Sequence, residues 1–553
     1  MRRVRRPDHA RELFVHSRLW PHDPRWPGDG AGERRRARGE PVPNARSHRP
    51  HRRRLPLESD GWRLRQGRAV PAPRHRRCAA PPHRSGPDWG RRPPFRVIDA
   101  LLELARRRVD GGRRGGGGGA DALERRVERT ALAFEAGRLK AAGVTEEAGV
   151  NVRVLHRGRV GIAGTTNVGV GEVGAQHAAP LLERALASAE LGEEIALGFP
   201  SAAKLPRVDT YIARAADAPL ERLIQIGQFL LSRLAREGCQ VNVAIEREVG
   251  ETRVANTAGA EGTYRTTGVG VSADVWRIAG DDVLAIGDVV EGSDLPSDEA
   301  LEAVVRSITT RLDHALRIVA PPEGALPVVF TPAGLSAVLL PVTQGLSGKA
   351  VLQGISPLAH RVGEQVFDEG VSLTDDPLAP GRTASRPLDD ECVPSRVTCL
   401  VQHGVVQRFI YDLETAARAK TESSGHGQRG IFAKPVPAYT NIIVGEARVP
   451  GPGSRVPGEL GGGLLREVND GLLVDDLIGV GQGNVIGGAF SHPVALAYRI
   501  ERGEISGRVK DAAVAGNVYE LLKRIAGLGD DARWTGARFA PSLLLEGVSV
   551  ARR

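Results

Sequence analysis

Apolar residues keep no lasting period over residues 1–95, and regular patterning starts only at Val97. Residues 97–109 place Ile98, Leu101, Leu102 and Ala105 on one face, which predicts an amphipathic helix. A glycine- and arginine-rich stretch, 111–119, reads as a flexible joint. Strand-like runs follow at 126–136, 150–155 and 159–163, and residues 178–190 read as a helix. The clearest helix starts at Asp217, with Pro219 in its first turn. Leu220, Leu223, Ile224, Gly227, Leu230, Leu231 and Leu234 repeat at helical spacing, and Gly238 closes it. Strand signals dominate 240–290, and a further helix is predicted over 298–318. Ala320-Pro321-Pro322-Glu323-Gly324 marks a domain boundary. Beyond it come a buried-type strand at 326–330, a helix near 332–352, long strand-and-turn segments, and helices near 412–419 and 514–525.

The fold class expected from this order is α+β. Two domains, 97–320 and 321–553, carry extensive mixed or antiparallel sheet with flanking helices. Residues 1–96 precede them as a disordered or spurious segment. No repeat of 20–50 residues is present.

Charge sharpens the contrast between the two parts. Residues 1–95 hold 25 arginines, no lysine and nine acidic residues, a net +16, while the remaining 51 basic and 57 acidic residues leave the rest at −6. The first 95 residues also hold 15 of the 37 prolines. Three readings compete there: a phosphate-neutralising tail, a disordered linker, or out-of-frame translation ahead of a start near Val97. No run of 18 apolar residues predicts a membrane helix. Four cysteines (Cys78, Cys239, Cys392, Cys399) without a CxxC pair argue against a disulfide scaffold or a zinc ribbon.

Most catalytic motifs fail. HExxH, P-loop and GxSxG are absent. The run Gly479-Val480-Gly481-Gln482-Gly483-Asn484 lacks dinucleotide spacing and reads as a tight turn or close backbone approach. Asp375-Asp376 and Asp389-Asp390-Glu391 read as solvated loop charges, and Cys392 and Cys399 as inert thiols. Convergence of His360, His403, His426 and His492 on Cys392 or Cys399 is the metal-site alternative.

Several blocks then resemble the TldD/PmbA family, whose members were once described as modulators of DNA gyrase. They are Gly149-Val150-Asn151-Val152-Arg153, Arg157-Gly158-Arg159-Val160-Gly161 and Gly164-Thr165-Thr166-Asn167. In the second half they are Arg361-Val362-Gly363-Glu364, Asp389-Asp390-Glu391, Ser423-Ser424-Gly425, Tyr439-Thr440-Asn441, and the ending from Ala540 to Val550. The resemblance covers most of 97–550 and is nearest to the PmbA/TldE-type member. TldD-type members carry a helix with LLHExxxHGLEGD, two histidines binding zinc and the glutamate acting as base, and a cysteine near the C-terminus as third ligand.

Here the matching block reads Leu339-Leu340-Pro341-Val342-Thr343-Gln344-Gly345-Leu346. By the resemblance, Pro341 and Leu346 stand for the two histidines and Val342 for the glutamate. Thr535-Gly536-Ala537-Arg538 offers no cysteine. A proline inside the helix is expected to start or kink it.

The resemblance therefore implies a vestigial site and a non-catalytic, cytoplasmic pseudo-enzyme subunit. It implies no cofactor in this chain, zinc in a TldD-type partner of a heterodimer, unfolded or extended peptides as substrates, and neither membrane nor nucleic acid as partner. Ser424, Gly425, Asn441 and Asn484 lie in family-like blocks and are candidates for peptide-cleft or interface roles, against a competing reading as turn formers and strand caps. The alternatives are a metallopeptidase with atypical ligands such as His403, His426 or His492, and a gyrase- or nucleic-acid-associated factor.

Overall fold

The computed structural model describes residues 96–109, 118–168, 176–445 and 459–553, all in one compact unit. The expectations for residues 1–95 and for most of the glycine-rich joint lie outside the described residues.

The first half is built on one antiparallel sheet. Its strands are β1 (Gly119–Glu135), β2 (Arg138–His156), β3 (Arg159–Thr165), β4 (Cys239–Asn256), β5 (Glu261–Ala279) and β6 (Asp282–Gly292), in the order β3-β2-β1-β4-β5-β6. Helices α1 (Arg96–Val109) and α2 (Ala178–Glu190) pack on Ala120, Val150 and Val152. Helices α3 (Leu220–Leu234) and α4 (Asp298–Ala315) pack Leu223, Ile226, Leu301 and Ile308 on Val243 and Ile245. Pro219 precedes α3 in an extended conformation that feeds the first turn. Ser297 caps α4 by accepting from the Ala300 amide at 3.2 Å. Strands β1 and β2 are much longer than the apolar pattern suggested. Residues 138–147 are exposed on both faces, so they carry no alternation to read.

In the second half, β7 (Gly324–Phe330), β8 (Asp470–Leu477), β9 (Ala489–Glu501), β10 (Ala512–Asn517) and β11 (Leu543–Arg552) close a ring of pairings. The pair β7–β8 is parallel, and β7–β11, β11–β10, β10–β9 and β9–β8 are antiparallel. The period of two lets these strands serve two cores at once. Val328, Phe330, Leu472, Val474 and Leu545 point into one core, while Val329, Leu473, Tyr498 and Leu544 join the core of α3 and α4. A second six-stranded sheet, centred on Leu373–Asp375 and Ile442–Val444, lies beside the ring's core.

Two expected helices are corrected. Residues 514–525 hold the end of β10, a single helical turn Val518–Leu521 capped by the Asn517 side chain, and a strand Ile525–Leu528. Alternate burial and ladder pairing with β9 and β11 override the helical reading there. The helix of 332–352 is two helices, as described below.

Buried charge ties the halves together. Arg153, in the middle of β2, is 1% exposed. It donates to Glu391 Oε1 at 2.5 Å and to Asp121 of β1. Arg429 donates to the other oxygen of Asp121 at 2.7 Å, and Arg125 to Asp390 at 3.1 Å. Asp389, Asp390 and Glu391 are thus fully buried rather than solvated, because their partners come from segments far away in sequence. Asp389 accepts the amides of Glu391, Val393 and Gly427, each at 2.9 Å, and Glu391 accepts that of Leu413 at 2.7 Å. A second junction joins Arg311 of α4 to Asp475 of β8 at 2.8 Å, with Asp288 of β6 held by Arg533 at 3.0 Å and Arg311 at 3.3 Å.

Arg153→Ala leaves Glu391 without its cation, and the expected loss is about 3–5 kcal/mol in urea denaturation, the usual cost of breaking a buried pair. Burial alone raises the Asp288 carboxyl, but Arg533 and Arg311 hold it down at about 2. Its folded value lies below the unfolded one, so its contribution is present above pH ~4 and is lost as pH falls through about 2. Denaturation midpoints measured from pH 5 to pH 2 are expected to fall less steeply in Asp288→Asn than in the parent chain.

Candidate functional site

The helix that the sequence singled out follows directly from β7. In the connection, a Cβ on Gly334 would stand 2.4 Å from the Val474 carbonyl oxygen, so only glycine lets the helix start press against β8. Helix α5 (Ser336–Gly345) then runs continuously through Pro341, which lies at its sixth position and neither starts nor ends it. The start is set upstream, where the Leu335 amide bonds the Thr331 carbonyl. The end falls at Leu346–Ser347. There the Gly348 amide turns to the Ile410 carbonyl at 2.8 Å, and the Tyr411 ring takes the space a Cβ on Gly348 would need. A short second helix, Gly348–Leu352, follows.

Pro341, Val342 and Leu346 are all buried, Val342 and Leu346 completely, in the core shared with Phe330, Val474 and Val514. Phenols hold the helix's carbonyls. Tyr519 donates to Pro341 O at 2.9 Å and Tyr439 to Thr343 O at 2.6 Å, while Ser356 Oγ donates to Gly345 O at 2.6 Å. Burial pushes both tyrosine hydroxyls up, so they remain donors. The glycine run 479–488 packs alongside α5. Gly479, Gly481, Gly483 and Gly488 have φ between 78° and 95°, and a Cβ on Gly481 would lie 3.6 Å from Leu340. The positive φ values are those of the tight turn expected of that run, and the contact with Leu340 is an ordinary one.

Zinc requires nitrogen, sulfur or oxygen donors converging on one point. Val342 and Leu346 have none in their side chains, and the one polar atom of Pro341, its carbonyl oxygen, accepts from Tyr519. The residues on this helix do not fit a metal ion. Among the described residues no three His, Cys, Asp or Glu side chains come together in a way that could hold one. His360 and His403 are exposed, His492 stacks on Phe490 at 6.0 Å between ring centres, and His426 is buried elsewhere. Cys392 is buried with its Sγ 3.6 Å from Ala260 O, and burial pushes its thiol well up.

The structure does assemble a constellation that sequence spacing hid. His426 places Nε2 3.1 Å from Asp375 Oδ2, and Nδ1 2.9 Å from Ser424 Oγ and 3.0 Å from Ser424 O. Asp375 also accepts from the Thr440 amide and hydroxyl, each at 2.7 Å. The residue types are those of a serine hydrolase, but the surroundings are not. Ser424 is 5% exposed and the other two at most 1%. The Ser424 hydroxyl already accepts the Tyr411 amide at 2.7 Å and donates to Tyr411 O at 3.0 Å. With the hydroxyl buried and engaged in this way, the cluster acts as a lock between loops. The only sequence signal for it was the closeness of Ser424 to His426, since Asp375 lies 51 residues away.

Gly425 is buried with φ 78°, a conformation that favours glycine. Asn441 is fully buried and donates to Asp376 O at 2.8 Å and Ser385 Oγ at 3.0 Å. Asn484 is exposed on the loop beside α5. The four cleft or interface candidates are therefore not one surface: three are internal and one is exposed.

Comparison with known proteins identifies these surroundings. Residues 323–552 match the family model described as PmbA/TldA metallopeptidase C-terminal domain, and residues 120–189 match PmbA/TldA metallopeptidase domain 1. Together they cover more than half of the chain. A metalloprotease of Methanothermobacter thermautotrophicus is 31% identical over 245 residues, which are 44% of this chain and 51% of that one. A metalloprotease TldD homolog of Haemophilus influenzae is 30% identical over 248 residues, 44% and 48% of the two chains. A metalloprotease PmbA homolog of the same organism is 26% identical over 228 residues, 41% and 46%. The chain thus spans about half the length of the curated relatives it matches. The crystal structure of TldE from Thermococcus kodakarensis shares the fold, with a TM-score of 0.70 at 22% identity, covering 82% of this chain and all of that one.

Ser424→Ala tests the lock reading. It is expected to cost about 1–3 kcal/mol of stability, the range for an unsatisfied buried partner, and to leave any peptidase activity of the purified assembly unchanged. A serine-dependent hydrolase would lose its activity with that hydroxyl.

Proposed function

We propose, from the premise that the chain belongs to the PmbA/TldD metallopeptidase family, that it is the subunit that lacks the metal. In this reading it pairs with a zinc-bearing chain of the TldD type and helps to hold extended peptides that the partner cleaves. The observation that carries the proposal is the composition of α5. Where a metallopeptidase helix needs donors, this helix places Pro341, Val342 and Leu346 in a dry core. That Haemophilus influenzae holds both a TldD homolog and a PmbA homolog supports a division of the family into two kinds of chain.

Peptide handling by such a subunit rests on main-chain recognition. Extended peptides add to sheet edges through backbone groups, which suits substrates of loose sequence. The family's peptidase role is the coarse part of this reading. The pairing, the missing metal and the peptide substrates are the finer parts, and they need their own test.

The full chain, tagged and expressed in its own host, is expected to co-purify with a near-stoichiometric chain carrying HExxxH. Zinc should follow that partner when the two are separated, as read by mass spectrometry and metal analysis. Stoichiometric zinc in this chain alone, with chelator-sensitive hydrolysis that substitutions at His403, His426 or His492 abolish, would overturn the proposal.

A further inference from the structure

We draw no further inference here: the strongest candidate, the exposed apolar patch of Leu352, Ile355 and Val436 where the short helix Gly348–Leu352 meets the strand Val436–Pro437, carries nothing, because nothing in the structure shows what covers it.

Discussion

A guanidinium at the centre of a buried strand sets the terms for the whole molecule. Arg153 sits between Val152 and Val154, both fully buried. A cation there is tolerated only if carboxylates come to it, because an unpaired buried charge costs several kcal/mol, a large fraction of the stability of a domain. One carboxylate, Asp121, comes from the neighbouring strand, and the other, Glu391, from the second half of the chain. Asp121 in turn accepts from Arg429. The halves are therefore fastened by charges that neither half satisfies alone. The same logic recurs at Arg311, Asp288, Asp475 and Arg533. Between the two junctions, the strands of the ring alternate their side chains into two cores, one of which also belongs to α3 and α4.

This fastening places α5. The helix enters from a ring strand, its first turn lies against the Val474 carbonyl at Gly334, and three hydroxyls hold its carbonyls near the far end. In a metal-binding chain, such rigidity would orient ligands. Here it orients apolar side chains, and Val342 and Leu346 complete the core instead. The Asp375–His426–Ser424 cluster fits the same pattern, since residue types that elsewhere do chemistry here join the loops around Tyr411 and Thr440.

Where side chains alternate or repeat at helical spacing, the sequence showed the element. The helices Leu220–Leu234 and Asp298–Ala315 fall within two or three residues of their expected bounds. Arg138–Ala148 was invisible because both of its faces meet solvent and no period is imposed on it. Residues 514–525 misled because alanine and valine suit either state, and pairing with β9 and β11 decides the matter. The acidic run Asp389-Asp390-Glu391 looked solvated because its cations lie far away, at positions 125 and 153. One local clue was on view, a lone arginine within the apolar run Val150–Leu155, which is how a buried ion pair announces itself. For α5 the family resemblance named the positions, but only the structure shows that they face a dry core.

The apolar composition of α5 has an energetic side. A metal site couples folding to metal binding, because its ligands repel or stay unsatisfied without the ion. Replacing such ligands by apolar residues of similar volume removes that dependence and adds buried apolar surface, worth about 1.5–3 kcal/mol for a fully buried leucine or valine. A chain built this way folds to the same shape whether or not metal is present. Under the subunit reading proposed above, such a chain serves as a fixed wall beside a metal-dependent partner. The strands of 17–19 residues in the first-half sheet, far beyond the five or six typical of globular proteins, suit a wall rather than the cover of a small core.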